Sequence, residues 1–149
     1  MNILIAGASG FIGSELVKTL SLTHKITVLG RNKKKLTKNI PEAHKYHDWD
    51  ELESVNATRF DAIINLCGEN IAAPRWTKKI KKNLINSRIK TNGTLINWLI
   101  RQKAKPHFIC ANAIGIYGVQ ENGDMDAFDE NSQIDIQKPK DFLSEICIK

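Results

Sequence analysis

Long apolar runs are missing from this 149-residue chain, and so are several familiar chemical signatures. No stretch approaches the about 20 apolar residues that a membrane span needs, so a membrane is not an expected partner. The apolar start is too short, and too soon broken by glycines, for a secretory signal. Cysteine is scarce: Cys67, Cys110 and Cys147 are far apart, odd in number and in no C-x-x-C pair. That excludes metal-ligand spacing, and the three read as reduced core cysteines of a cytoplasmic protein. No Gly-Lys-Ser/Thr follows any glycine turn, which excludes a Walker-type phosphate loop. Internal repeats and low-complexity tracts are absent too.

What the chain has in excess is positive charge, +6 net. Most of it lies in two clusters: Arg31, Lys33, Lys34, Lys35 and Lys38, and Lys78, Lys79, Lys81 and Lys82. Neither has aromatic residues interleaved in the way single-strand binders use them, so nucleic acid is not an expected partner. The second cluster fits the solvated face of a long helix. A chain of this length can bury roughly two-thirds of its unfolded surface, which suits one globular domain.

The most informative stretch is the beginning. Residues 2–6 form an apolar run of the buried-strand kind. Gly7, Gly10 and Gly13 follow at G-x-x-G-x-x-G spacing. Phe11, Ile12, Leu16, Val17 and Leu20 then fall at helical spacing. Strand, glycine turn and helix together bind a dinucleotide: Gly7 for the tight turn, Gly10 for approach of the pyrophosphate, Gly13 for close helix–strand packing. The helix N-terminus offers unpaired N–H groups to the anion.

Alternation continues along the chain. The pattern predicts strands at 2–6, 25–30, 45–47, 60–66 and 106–111. It predicts helices at 11–22, 49–55 and 77–103, a short basic helix or turn at 32–38, and a helix from Phe142 capped by Asp141. The long helix has Ile80, Leu84, Ile85, Ile89, Leu95, Trp98 and Leu99 as its apolar stripe. Residues 118–141 read as a polar loop, either a flap or an exposed segment. The fold class is α/β: a Rossmann-type doubly wound parallel sheet with helices on both faces.

Strand two ends at Leu29-Gly30-Arg31-Asn32. NAD-binding versions usually carry an acid here for the ribose 2′-OH, and this chain has none. A guanidinium suits a 2′-phosphate instead, so NADP is favoured over NAD. Segments 65–71 and 110–118 lie at strand C-termini, the edge where ligands bind in open α/β sheets.

Four segments together resemble a known family: GASGFIG at 7–13, LGRN at 29–32, NLCGENIAAPRW at 65–76 and CANAIGIYG at 110–118, with DFLSEIC at 141–147 as a fifth. The family is the extended short-chain dehydrogenase/reductases, in the atypical NAD(P)-dependent, sugar-nucleotide epimerase-like branch. The resemblance implies that Gly7, Ser9, Gly10, Phe11, Ile12 and Gly13 hold the pyrophosphate and that Arg31 meets the 2′-phosphate. It implies Asp48 or Trp49 beside the adenine, and Leu66, Cys67 and Gly68 against the ribose and pyrophosphate. Ala111 to Ala113 would run under the nicotinamide. Asn112 stands where relatives commonly have Ser or Thr, and Asn112 and Tyr117 are the candidate catalytic residues. Relatives also pair as homodimers through the long helix and the one near Phe142, and they are about twice this length, which implies an amino-terminal portion lacking later strands and a substrate subdomain.

The chain departs from the family at the proton-transfer motif. Four residues after Tyr46 is Asp50, and four after Tyr117 is Glu121, so no Tyr-x-x-x-Lys exists. Glu145-Ile146-Cys147 matches a form found in the close branch, and Cys147 reads as a packed helix cysteine. Two functions fit. One is an NADP(H)-dependent reductase or epimerase, transferring hydride at a hydroxyl or keto carbon of a small polar substrate such as a nucleotide sugar. The other is a non-catalytic NADP(H)-binding regulatory or redox-sensing protein.

Overall fold

The computed structural model describes residues 1–72, 75–119 and 127–149. Five strands form one all-parallel sheet: β1 (Asn2–Ala6), β2 (Lys25–Gly30), β3 (Lys45–Asp48), β4 (Ala62–Asn65) and β5 (His107–Cys110). Their order is β3-β2-β1-β4-β5. The chain starts in the centre, steps out to β3, then returns to the other side of β1 at β4. The reversal places a crevice above β1 and β4, where doubly wound folds bind ligands.

Side-chain alternation along the strands loads both faces. Ile3 and Ile5 point into one layer with Val17, Val28, Leu36 and Ile40. Here α1 (Phe11–Leu20) and α2 (Lys33–Asn39) cover the sheet. Leu4 and Ala6 point into the other layer with Leu29, Ile63, Leu95 and Trp98. There α3 (Lys78–Arg101) and a 3₁₀ segment at Trp49–Ser54 cover it. Trp98 is fully buried, and its indole N–H donates to the Val55 carbonyl at 3.2 Å. No helix among the described residues is long and apolar enough to cross a membrane.

The expected doubly wound sheet is present, with small differences at its ends. The first helix stops at Leu20, two residues early, and the fourth strand shrinks to Ala62–Asn65. A 3₁₀ turn at Ala57–Arg59 precedes it, capped by the Asn56 side chain. Thr77 caps α3 through its hydroxyl. Of the expected α3 stripe, Leu84, Leu95, Trp98 and Leu99 are buried, but Ile89 is 43% exposed. The cysteines are free, as expected, but Cys110 is exposed rather than in the core. It ends an edge strand that is open along most of its length.

The chain divides into two compact units, Met1–Ala111 and Asn112–Lys149. The second contains a 3₁₀ turn at Ile114–Tyr117 and α4 (Phe142–Ile148). Asp141 caps α4 as expected: its carboxylate accepts the Ser144 N–H at 2.8 Å. Of the expected loop at 118–141, residues 120–126, Glu121 included, lie outside the described residues, as do 73 and 74 in the fourth strand-end segment.

Candidate functional site

The site begins with the turn after β1. Gly7 has φ of +82°, a left-handed conformation, and a Cβ on it would stand 2.7 Å from the Leu66 carbonyl carbon. Only glycine fits both demands. Gly13 is held as tightly: its Cβ would meet the Gly7 oxygen at 2.5 Å. That closeness seats α1 directly on the end of β1. Gly10 is the N-cap of α1 and has no side chain to cap it. The amide N–H groups of Phe11, Ile12 and Gly13 have no acceptor among the described residues. A ten-residue helix therefore presents its first N–H groups and positive dipole end to the crevice. Phe11 is 90% and Ile12 65% exposed, so these two expected helix-face residues stay out of the core.

A groove of about 880 Å³ runs from this turn across the strand ends. Gly7, Ser9 and Gly10 line it from the glycine turn. Leu29, Gly30 and Arg31 close it at the end of β2, with Trp49 beside them. Leu66 to Asn70 line it above β4. The fourth wall comes from α3, through Asn83, Asn86, Ser87, Lys90 and Thr91. A second cavity of about 370 Å³ shares Ser9 and Arg31 and adds Asn32, Lys35, Leu36 and Asn39.

Two buried or half-buried networks set the walls. Asn65, 2% exposed, ends β4. Its amide Nδ2 donates to Asn92 at 2.7 Å and to Thr91 at 3.3 Å, and its Oδ1 accepts the Cys67 N–H at 3.1 Å. It thus turns the chain out of the strand and fastens it to α3. The Cys110 thiol joins the network through Asn92, at 3.3 Å. Further along, the Glu69 N–H donates to Ser87, and the Arg88 guanidinium donates to the Glu69 carbonyl. Gly68 was expected to make room for a ligand. Its own neighbour is Arg88, whose guanidinium carbon a Cβ would meet at 3.0 Å. Trp76 closes the loop by donating to the Ile71 carbonyl at 3.0 Å.

At the β3 end, Glu51 gathers three neighbours. Lys33 donates to it at 2.8 and 3.1 Å, the Asp48 N–H donates at 3.1 Å, and His47 lies at 3.3 Å. Lys33 above all, then the Asp48 N–H, holds its carboxyl below the usual range. The Oδ1 of Asp48 is buried with no hydrogen-bond partner among the described residues. Burial pushes the Cys67 thiol up to about 11, so at neutral pH it is an uncharged wall.

Most expected cofactor residues converge on the groove: Gly7, Ser9, Gly10, Arg31, Trp49, Leu66, Cys67 and Gly68 all line it. Phe11, Ile12, Gly13, Asp48 and Ala111 do not line it themselves. Asn112, Ala113 and Tyr117 belong to the second unit. There the Asn112 amide donates to the Cys147 carbonyl at 3.2 Å and its Oδ1 accepts the Ala113 N–H. The Tyr117 hydroxyl donates to the Asp129 carbonyl at 2.9 Å, and its ring stacks on Phe128 with centroids 4.9 Å apart. The α3 wall escaped the sequence reading. Its signal was present: 83, 86, 87, 90 and 91 recur at helical spacing, as polar residues.

The profile of the NAD dependent epimerase/dehydratase family matches residues 3–139. The chain is 34% identical over 158 residues to the epimerase family protein SDR39U1 homolog, chloroplastic, of Arabidopsis thaliana, covering 99% of this chain and 42% of that one. It is 32% identical over 145 residues to epimerase family protein ML0860 of Mycobacterium leprae, covering 97% and 44%. The crystal structure of human epimerase family protein SDR39U1 (isoform 2) with NADPH superposes with a TM-score of 0.75 at 27% identity, covering 98% of this chain and 46% of that one. UDP-glucuronic acid 4-epimerase from Bacillus cereus, in complex with UDP-glucuronic acid and NAD, gives 0.73 at 20% identity, covering 99% and 49%. That last likeness shows the fold. The chain spans about half the length of these relatives.

Proposed function

The chain belongs to the NAD dependent epimerase/dehydratase family, and from that premise we propose that it is the NADP(H)-binding portion of a reductase or epimerase. One observation carries the proposal: an uncapped helix N-terminus and an arginine bordering the same groove, with no acid at the end of β2. The residues fit a dinucleotide. Side chains at Gly7 and Gly13 would collide with backbone, and the free N–H groups of α1 suit the diphosphate. The unpartnered Asp48 oxygen suits the adenine amino group, with Trp49 alongside.

Arg31 and Lys35 share the smaller cavity with Ser9 and Asn32, and this is where a 2′-phosphate would go. Lys33 is held away from that duty by Glu51. The human relative carries NADPH, which supports NADP over NAD.

A bound nicotinamide supplies or accepts hydride at a hydroxyl or keto carbon of a small polar substrate. The matched family of epimerases and dehydratases supports a hydroxyl- or keto-bearing substrate, for which a nucleotide sugar is the class we propose. The chain's own contribution is to bind and to orient. Its free cysteines support a cytoplasmic setting, and pairing as a homodimer remains part of the reading.

A second reading, an NADP(H)-binding regulatory protein without turnover, is favoured by Tyr117. Its hydroxyl is spent on a backbone carbonyl, and no lysine follows at the fourth position.

Calorimetric titration with NADPH and NADH tests the proposal, beside Arg31→Ala. NADPH should bind more tightly, and the variant should lose about tenfold or more for NADPH alone. Binding of neither dinucleotide would sink it.

A further inference from the structure

We propose that Lys90 is the cation that pairs with the diphosphate bridge of the dinucleotide, across the groove from the glycine turn. This rests on the dinucleotide reading above and adds to it a residue on an element that reading did not use.

The glycine turn offers the diphosphate N–H groups but no side-chain cation. The lysine of α1, Lys18, is paired with Glu15 at 2.7 Å. Among the described residues lining the groove, the charged side chains are Arg31, Glu69 and Lys90. Arg31 also borders the smaller cavity beside α2, which puts its charge at the ribose end. The Glu69 carboxylate cannot serve an anion. That leaves Lys90 for the second anionic centre of the ligand.

Lys90 is free to do this. It is exposed and makes no ion pair or hydrogen bond among the described residues, in contrast to Lys33, which Glu51 holds. It stands on a fixed element. Asn83, Asn86, Ser87, Lys90 and Thr91 recur at i, i+3, i+4, i+7 and i+8, so one face of α3 looks into the groove. The next two residues, Thr91 and Asn92, are bonded to Asn65 at the end of β4. The helix is therefore pinned at this height, and the lysine needs to order only its own side chain on binding. A compact ammonium with three donors suits a diphosphate, whose oxygens point several ways.

The test is calorimetry on the full chain, wild type against Lys90→Met and Lys90→Arg, with NADPH, NADH and adenosine 2′-monophosphate as probes. Lys90→Met should weaken NADPH and NADH by the same factor, about tenfold. Affinity for adenosine 2′-monophosphate, which has no diphosphate, should change by less than about twofold. The salt dependence of NADPH binding should become shallower, and Lys90→Arg should recover most of the affinity. A folded Lys90→Met chain that binds NADPH as wild type does overturns the assignment alone. A loss confined to NADPH overturns it in favour of a 2′-phosphate contact. A wild-type chain that binds neither dinucleotide removes the underlying reading as well.

Discussion

The two long walls of the groove are built from different material. On one side, the turn from Gly7 to Gly13 works through main chain, with bare N–H groups at the start of α1. On the other, α3 presents side chains, Asn83, Asn86, Ser87 and Lys90, from a helix whose adjoining face is anchored by Leu84, Leu95 and Trp98. Where the working groups are backbone, function and fold are bound together wherever a side chain would meet other main chain, as at Gly7 and Gly13. Where they are side chains on a pinned helix, each can be altered with the fold left standing.

Substitution on the first wall should do the most damage. Gly13→Ala drives a methyl to within 2.5 Å of the Gly7 oxygen, with neighbouring backbone at 2.7 Å. A loss of about 3 kcal/mol is expected in urea unfolding, together with loss of dinucleotide binding. Gly10→Ala sharpens the contrast. Its Cβ meets only one atom, at 3.3 Å, and its φ of −79° suits alanine. Stability should fall by less than about 1 kcal/mol, while the methyl occupies the approach of the diphosphate. Titration should show dinucleotide affinity down by about tenfold or more. Equal losses in stability and affinity would break the idea that Gly10 serves the ligand.

Asn65 joins the walls, so Asn65→Ala should fall between them. It strands buried partners on Asn92 and on the Cys67 N–H, for about 1–3 kcal/mol in thermal or urea unfolding. The effect on binding should follow through the Leu66–Cys67 wall. A smaller effect concerns the thiols. Cys67, raised to about 11 by burial, stays protonated near pH 8 and should react slowly with iodoacetamide. Exposed Cys110 should be labelled first, as read by peptide mass spectrometry, and NADPH should slow Cys67 further.

The smallest effect belongs to Glu51. Its folded carboxyl lies below its ordinary value, so its contribution is present above the ordinary carboxylate range. It is lost as pH falls through that range towards the lowered value. Glu51→Gln should flatten this part of the acid limb by lowering the neutral plateau slightly, the two proteins converging in stability at low pH.

How legible each wall was follows from how local its signal is. The glycine turn could be read because φ, close packing and helix capping act within a few neighbouring residues. Arg31 could be read for the same reason, since it follows directly on β2. The Asp141 cap needed only its own four residues. The face of α3 was missed because polar residues at helical spacing look alike whether they meet water or a ligand. Ile89 looked like core because apolar residues define the expected stripe, yet at about 100° per residue it lies well round α3 from the face that Leu84, Leu95 and Trp98 bury. Cys110 was assigned to the core because an apolar strand reads as central, and nothing in its own residues says that it is an edge. Nothing close to Lys33 in sequence sets it apart from the other cations of its cluster. Only the fold brings Glu51, eighteen positions on, against it.

The side chain of Asn65 has a consequence for how freely this rim can change. It aims the departing chain from below, by holding the Cys67 N–H, and it is itself fastened to the helix behind. The direction of the segment is therefore decided at its root. Residues nearer the tip inherit a course already set, and most of their freedom can go to chemistry rather than to posture. A protein built this way can exchange what its rim displays, such as Asn70 or Ile71, while the pivot beneath stays the same.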